Sequence, residues 1–309
     1  MMILFINLFF ILTSQLLEGK SDSSFEGSIS NIKHTVFIAG PDFTGIVDEN
    51  GNIQWDSGRK GARDGFVLPN GNVLICWADV VQEYTPQKEI VFTYKRENAQ
   101  IELGTAQRLS NGNTLITSSG KSPELQEVDK NGTIVARIPL NPETDNTHMQ
   151  TRMARKQNNG KYLVPHLLAF AVKEYDTDGK VHSEIKTDIP ELGGAKSEPW
   201  PFTAIKLKNG NTLVSLTRSN QIAEFNSKGK LVWKVSNEDI PGNPFKDPCG
   251  LQRLPNGNTV IASYGAKEGI RLFEINKKNK IVWSFDKYKV HEFQVLTTNG
   301  KPLTGIPLK

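Results

Sequence analysis

The sequence predicts an all-β fold: a six-bladed β-propeller of four-stranded antiparallel blades, closed by pairing of the C-terminal inner strand with the N-terminal strands. Three observations predict it. A strand-turn-strand unit centred on Asn-Gly recurs five times, a second hairpin alternates with it six times, and each end of the chain carries a fragment that the other completes.

The first hairpin reads FVLPNGNVLICW from Phe66, QRLSNGNTLITS from Gln107, IKLKNGNTLVSL from Ile205 and QRLPNGNTVIAS from Gln252, with RKQNNGKYLVPH from Arg155 as a degenerate fifth copy. Each places Asn-Gly between an apolar strand and a β-branched one. Because Asn-Gly tolerates positive φ at both positions, a two-residue type I′ turn is expected there. About twenty residues later comes the second hairpin: IVDENGNIQWD from Ile46, EYTPQKEIVFTY from Glu83, EVDKNGTIVARI from Glu127, EYDTDGKVHSEI from Glu174, EFNSKGKLVWKV from Glu224 and EINKKNKIVWSF from Glu274. HEFQVLTTNG from His291 repeats an inner strand and its turn, whereas the segment from Thr35 starts without one. The span from His34 to Leu303 then divides into six units of about 45 residues, the length of one four-stranded blade. A four-stranded meander cannot bury both faces or its edges alone, so the units must stack around an axis until the ring shuts.

Composition agrees with a packed soluble core and excludes other classes. Lys plus Arg number 37 against 33 Asp plus Glu, a net charge of +4 that gives no field strong enough to call for nucleic acid. With 37% hydrophobic and 23% charged residues, the chain is neither disordered nor a multi-pass membrane protein. The apolar run over residues 2–12 is shorter than the roughly 20 residues that span a bilayer, and fits a secretory signal. Residues 1–19 are therefore read as a cleaved signal peptide, 20–33 as a linker and 34–309 as a single propeller domain, in a secreted or periplasmic protein with no membrane span in the mature chain. Cys76 and Cys249 fall in blades flanking the closing blade, beyond the roughly 7 Å reach of a disulfide, so two free and mostly buried thiols are expected. Asn131-Gly132-Thr133 is a glycosylation sequon at a hairpin tip, read first as turn chemistry.

The outer hairpin, a turn such as Asp48-Glu49-Asn50-Gly51 or Asn226-Ser227-Lys228-Gly229 before an apolar-apolar-Trp strand, resembles the repeat of pyrroloquinoline quinone-type (PQQ-like) β-propellers. The Leu-Pro-Asn-Gly-Asn inner hairpin is similar to that of bacterial arylsulfotransferase-like propellers. The resemblance covers nearly the whole mature chain and implies the architecture. Quinoprotein dehydrogenases of that group are eight-bladed and carry a vicinal Cys-Cys pair with a calcium-binding carboxylate set; here the two cysteines stand far apart, so no quinone cofactor is expected.

Blade geometry selects the candidate site. The start of each inner strand, the end of each second strand and the connections between blades share one face. Onto that face fall Arg63, Asp64, His148, Arg152, His291 and Glu292 from inner-strand starts, and Trp77, His166, Arg218 and Tyr264 from second-strand ends, with Trp200 just before an inner strand. The loops 141–150, 186–200 and 236–248 on this face are long and rich in Pro, Asp and Asn, as display loops are. Arginines beside histidines and carboxylates can clamp a phosphate, sulfate or carboxylate, or run acid–base chemistry, and the tryptophans can stack a sugar or an aromatic ring. Trp55, Trp233 and Trp283 occupy one repeated position and are assigned to inter-blade contact. No metal-ligand spacing, nucleophile elbow or phosphate-cradling loop is present, so no metal or cofactor is expected. The reading is a module binding a small anionic or carbohydrate ligand, or a protein partner, on its long-loop face. The alternative is a transferase or lyase using a His/Arg cluster at the channel mouth, with catalytic residues unassigned.

Overall fold

In this computed structural model residues 31–141 and 143–309 are described, and they form six antiparallel sheets in a ring. The expected signal peptide and most of the linker lie outside those residues. In chain order, β1 (His34–Ala39), β2 (Thr44–Val47) and β3 (Ile53–Asp56) belong to the closing blade. Next come β4 (Asp64–Val67), β5 (Val73–Cys76), β6 (Val80–Tyr84) and β7 (Ile90–Lys95), then β8 (Glu102–Arg108), β9 (Thr114–Ser119), β10 (Glu124–Val128) and β11 (Ile134–Pro139). The fourth blade is β12 (Arg155–Lys156), β13 (Tyr162–His166), β14 (Ala171–Tyr175) and β15 (Val181–Lys186); the fifth is β16 (Pro201–Lys206), β17 (Thr212–Leu216), β18 (Gln221–Phe225) and β19 (Leu231–Ser236). The sixth is β20 (Pro248–Arg253), β21 (Thr259–Ser263), β22 (Leu272–Ile275) and β23 (Ile281–Phe285). β24 (Glu292–Thr298) then pairs antiparallel with β1, Phe37 facing Gln294 and Ala39 facing Glu292, while β25 (Lys301–Pro302) lies on the free edge of β24. This pairing of the two ends closes the ring with backbone hydrogen bonds.

The turns correct the expected type I′ geometry. In the five inner hairpins only the glycine has positive φ (Gly71, 86°; Gly257, 87°), and Asn70 and Asn256 do not. Gly71 N donates to Leu68 O (2.9 Å) and Leu68 N to Asn72 O (2.8 Å), which is a three-residue loop made of a type I turn and a glycine bulge. Asn70 contributes through its side chain, whose Oδ1 accepts from Asn72 N at 3.1 Å. The two-residue type I′ turn occurs at Asn299-Gly300, where φ is 50° and 74° between the paired residues Thr298 and Lys301. In the outer hairpin after β6, Lys88 takes the glycine position at φ 70°. A left-handed non-glycine residue is strained, so Lys88→Gly is expected to raise unfolding free energy by about 1 kcal/mol, measurable by urea titration.

Each gap between neighbouring blades holds one apolar cluster. Phe37, Trp55, Val73, Ile75 and Tyr84 join the closing blade to the next, and Trp233 and Trp283 are half-buried against two other gaps, as the repeated tryptophan position implied. A polar link accompanies several of them. Glutamates opening the outer hairpins accept an Asn amide from their own blade, as in Asn72 to Glu83 and Asn258 to Glu274 (2.6 Å each), or meet a basic side chain of the next blade: Glu83 with Arg108, Glu127 with Lys156, Glu224 with Arg253 and Glu274 with His34. Cys76 and Cys249 are free and buried. Among the described residues no helix is long and apolar enough to cross a membrane.

Candidate functional site

At one mouth of the central channel lies a cavity of about 340 Å³. Seven of the eleven candidate residues line it: Arg63, His148, Arg152, Trp200, Arg218, Tyr264 and His291. They converge because each sits at an inner-strand start, a second-strand end or a connecting loop. Phe202, Met149 and Leu167 add apolar wall, and Met153, Phe202 and Cys249 form a small buried cluster against Tyr264. Phe202, at the second position of β16, obeys the same inner-strand rule as His291, but an apolar ring at a strand start looks like core in the sequence.

Arg152 dominates the electrostatics. It is 5% exposed, and Nη1 donates to Thr151 O (2.7 Å) while Nη2 donates to His148 O. Among the described residues it has no carboxylate within ion-pair distance. Burial lowers its pKa to about 10, and the neighbouring Arg63 adds to that fall. Arg63 is compensated, since Nη2 meets Glu102 Oε2 at 2.7 Å, and the same oxygen lies 3.1 Å from His148 Nδ1. Arg218 is exposed on the rim over the Trp200 ring at 5.6 Å, with Glu198 and Asp247 at 3.4 and 3.9 Å. The buried cation thus meets the cavity without a carboxylate in direct contact, Glu102 acting on it only from a distance.

His291 lines the same cavity, edge-on to Phe202 (4.8 Å) and Tyr264 (5.3 Å). Its Nδ1 lies 2.8 Å from Arg63 O, and a carbonyl only accepts, so Nδ1 carries the proton and Nε2 the lone pair. Nε2 and the Tyr264 hydroxyl have no protein hydrogen-bond partner among the described residues. Burial pushes the Tyr264 pKa up and the His291 pKa down to about 3. His291 therefore stays neutral in the folded state, whereas the unfolded ring takes a proton below about pH 6.5. Stability is then full above that pH and falls by about 1.4 kcal/mol per unit towards pH 3, or about 2 kcal/mol by pH 5. Denaturant titrations at pH 7 and 5 should show this slope, and His291→Gln should flatten it. Non-glycine residues in the left-handed region also gather in the surrounding loops: Glu198 (φ 50°), Asn220 (53°) and Asp247 (46°). Such strain persists where a site is held in shape by its surroundings.

Four candidates lie elsewhere. Trp77 is buried in the gap beside Tyr84, with the Arg59 guanidinium 4.9 Å from its ring. His166 is 0% exposed between Glu143 (Nδ1 to Oε2, 2.8 Å) and the Tyr175 hydroxyl (2.9 Å from Nε2). Asp64 and Glu292 sit one residue further along their inner strands than Arg63 and His291, in the channel, where they face Arg155 and Lys309. The repeat alignment placed these side chains at one rim but carried no information on which way each turns.

No curated protein matches the chain. Among solved structures, a protein of unknown function from Bacteroides caccae is 20% identical with a TM-score of 0.74, over 84% of this chain and 98% of that one. Virginiamycin B lyase from Staphylococcus aureus in its quinupristin-bound, catalytically inactive form is 13% identical (TM-score 0.57; 83% and 84% covered), and a luciferin-regenerating enzyme is 10% identical (TM-score 0.52; 74% and 76% covered). At these identities the likeness is one of fold. The family model of Mal s 1 allergenic protein-like proteins matches residues 41–255, most of the ring, and the chain belongs to that family.

Proposed function

We propose that the protein is an exported propeller that binds a small anion bearing an apolar or aromatic group in the channel-mouth cavity. The observation that carries this reading is Arg152, a buried guanidinium without a carboxylate, facing a cavity walled by Trp200, Phe202 and Tyr264. A planar fork of donors suits a carboxylate, sulfate or phosphate, and the rings suit the remainder of the ligand. A protein partner or an uncharged carbohydrate would leave that cation unmatched. The PQQ-like repeat supports the architecture, and no quinone is proposed. Export rests on the apolar run at residues 2–12, and N-terminal sequencing of the mature protein tests it. For binding, the test is a thermal-shift panel of sulfated, phosphorylated, carboxylated and carbohydrate compounds. An anion that stabilises the wild type and loses its effect in Arg152→Met supports the reading; a flat response to every anion defeats it.

The second reading is an enzyme of lyase or transferase kind. It is favoured by the bare Nε2 of His291 in a cavity that Tyr264 also lines, and lyases are among the structural neighbours. A ring held down to about pH 3 is a weak base, which ranks binding first.

A further inference from the structure

Below the cavity the channel holds a second built site, and it is filled by this chain itself. Residues 303–309 leave the closing blade and reach the axis. Three of the tail's main-chain contacts with the ring are Leu303 N to Leu296 O (2.9 Å), Arg253 N to Leu308 O (3.0 Å) and Arg155 Nε to Lys309 O (3.0 Å). Ile306 is 82% exposed, yet Lys309 is only 3% exposed. Its ammonium lies 3.4 Å from Asp64 Oδ1, 3.6 Å from Glu292 Oε1 and 4.1 Å from the centre of the Phe66 ring. The seat is supplied by innermost strands of different blades, and Gly250 makes room for it: a Cβ there would stand 2.8 Å from Glu292 Oε1.

We propose that the channel carries a primary-ammonium site, occupied in cis by Lys309 as a tethered ligand and able to take an external alkylammonium ion when the tail is away. Two buried carboxylates face two cations, Arg155 and Lys309. Arg155 belongs to the ring and grips Asp64 with both Nη atoms, at 2.8 and 3.1 Å, so departure of Lys309 leaves buried Glu292 without a cation beside it. That deficit, with an aromatic face beside it, selects a compact cation on an apolar stem. A metal ion fits less well, because no group of three or more metal-ligating side chains is found among the described residues. This site is independent of the anion reading, since it uses none of the residues lining the cavity.

The experiment uses full-length Lys309→Gly, which removes the side chain and keeps the main chain. Its melting temperature should fall by about 5–10 °C. Adding n-butylammonium chloride should restore at least half of that loss, whereas equal sodium chloride, calcium chloride or n-butanol should not, and the wild type should not respond to the amine. If the variant does not fold by itself, refolding yield under the same additions replaces the melting temperature as readout. An equal amine effect in wild type and variant, no effect in the variant, or recovery by calcium to the same extent would overturn the proposal.

Discussion

Asp64→Ala is expected to cost about 3–5 kcal/mol of unfolding free energy, the largest single-residue effect in the ring, because it takes the paired carboxylate from buried Arg155 and leaves Lys309 with Glu292 alone. Asp64 is 0% exposed, takes both Nη atoms of Arg155, accepts from Thr105 Oγ1 at 2.6 Å and faces Lys309. Burial pushes its carboxyl upward, but Arg155 and Lys309 outweigh that and hold its pKa well below the usual range. A depressed carboxylate stabilises the fold above its unfolded pKa near 3.9 and loses that contribution only as pH falls towards its folded value. The Asp64→Ala deficit should therefore be constant from neutral pH down to about 4 and shrink below it. Urea unfolding at several pH values measures both; a deficit under about 1 kcal/mol at pH 7 would mean that the cluster is not the axial tie inferred from its geometry.

Arg152→Met should separate stability from binding. It removes a buried cation that no carboxylate matches, so the apo variant should be within about 1 kcal/mol of wild type or more stable, the loss of two carbonyl contacts being offset by relief from Arg63. Affinity for the anion should fall about 100-fold, and Arg152→Lys, which keeps charge but not the fork, should lie between. A destabilisation above about 3 kcal/mol would instead mark Arg152 as a structural residue held by His148 and Thr151.

The ring was legible because blades are near copies: Asn-Gly spacing marked the hairpins, and the fragments at His34 and His291 showed which ends must meet. Turn type was misread for a physical reason. Asn-Gly serves both the type I′ turn and the type I turn with a glycine bulge; Pro69 and Pro255, at the first central position of a type I turn, mark the second kind in two hairpins, whereas Ser110, Asn158 and Lys208 before the other three carry no such mark. The position rule gathered Arg63, Arg152, Tyr264 and His291 at one cavity because it follows strand direction, which repeats conserve. It could not tell that His166 turns inward to Glu143 and Tyr175, since side-chain orientation at a strand end depends on neighbouring blades. Lys309 was invisible to it, lying past the last repeat where no pattern predicts a path.

On the proposed function, the cavity selects negative charge through Arg152. Titration calorimetry of the best anion from the panel against its uncharged primary amide tests this most directly. The anion should bind wild type, the amide should not, and Arg152→Met should abolish the difference between them; equal binding of amide and anion to wild type would show that Arg152 does not select charge.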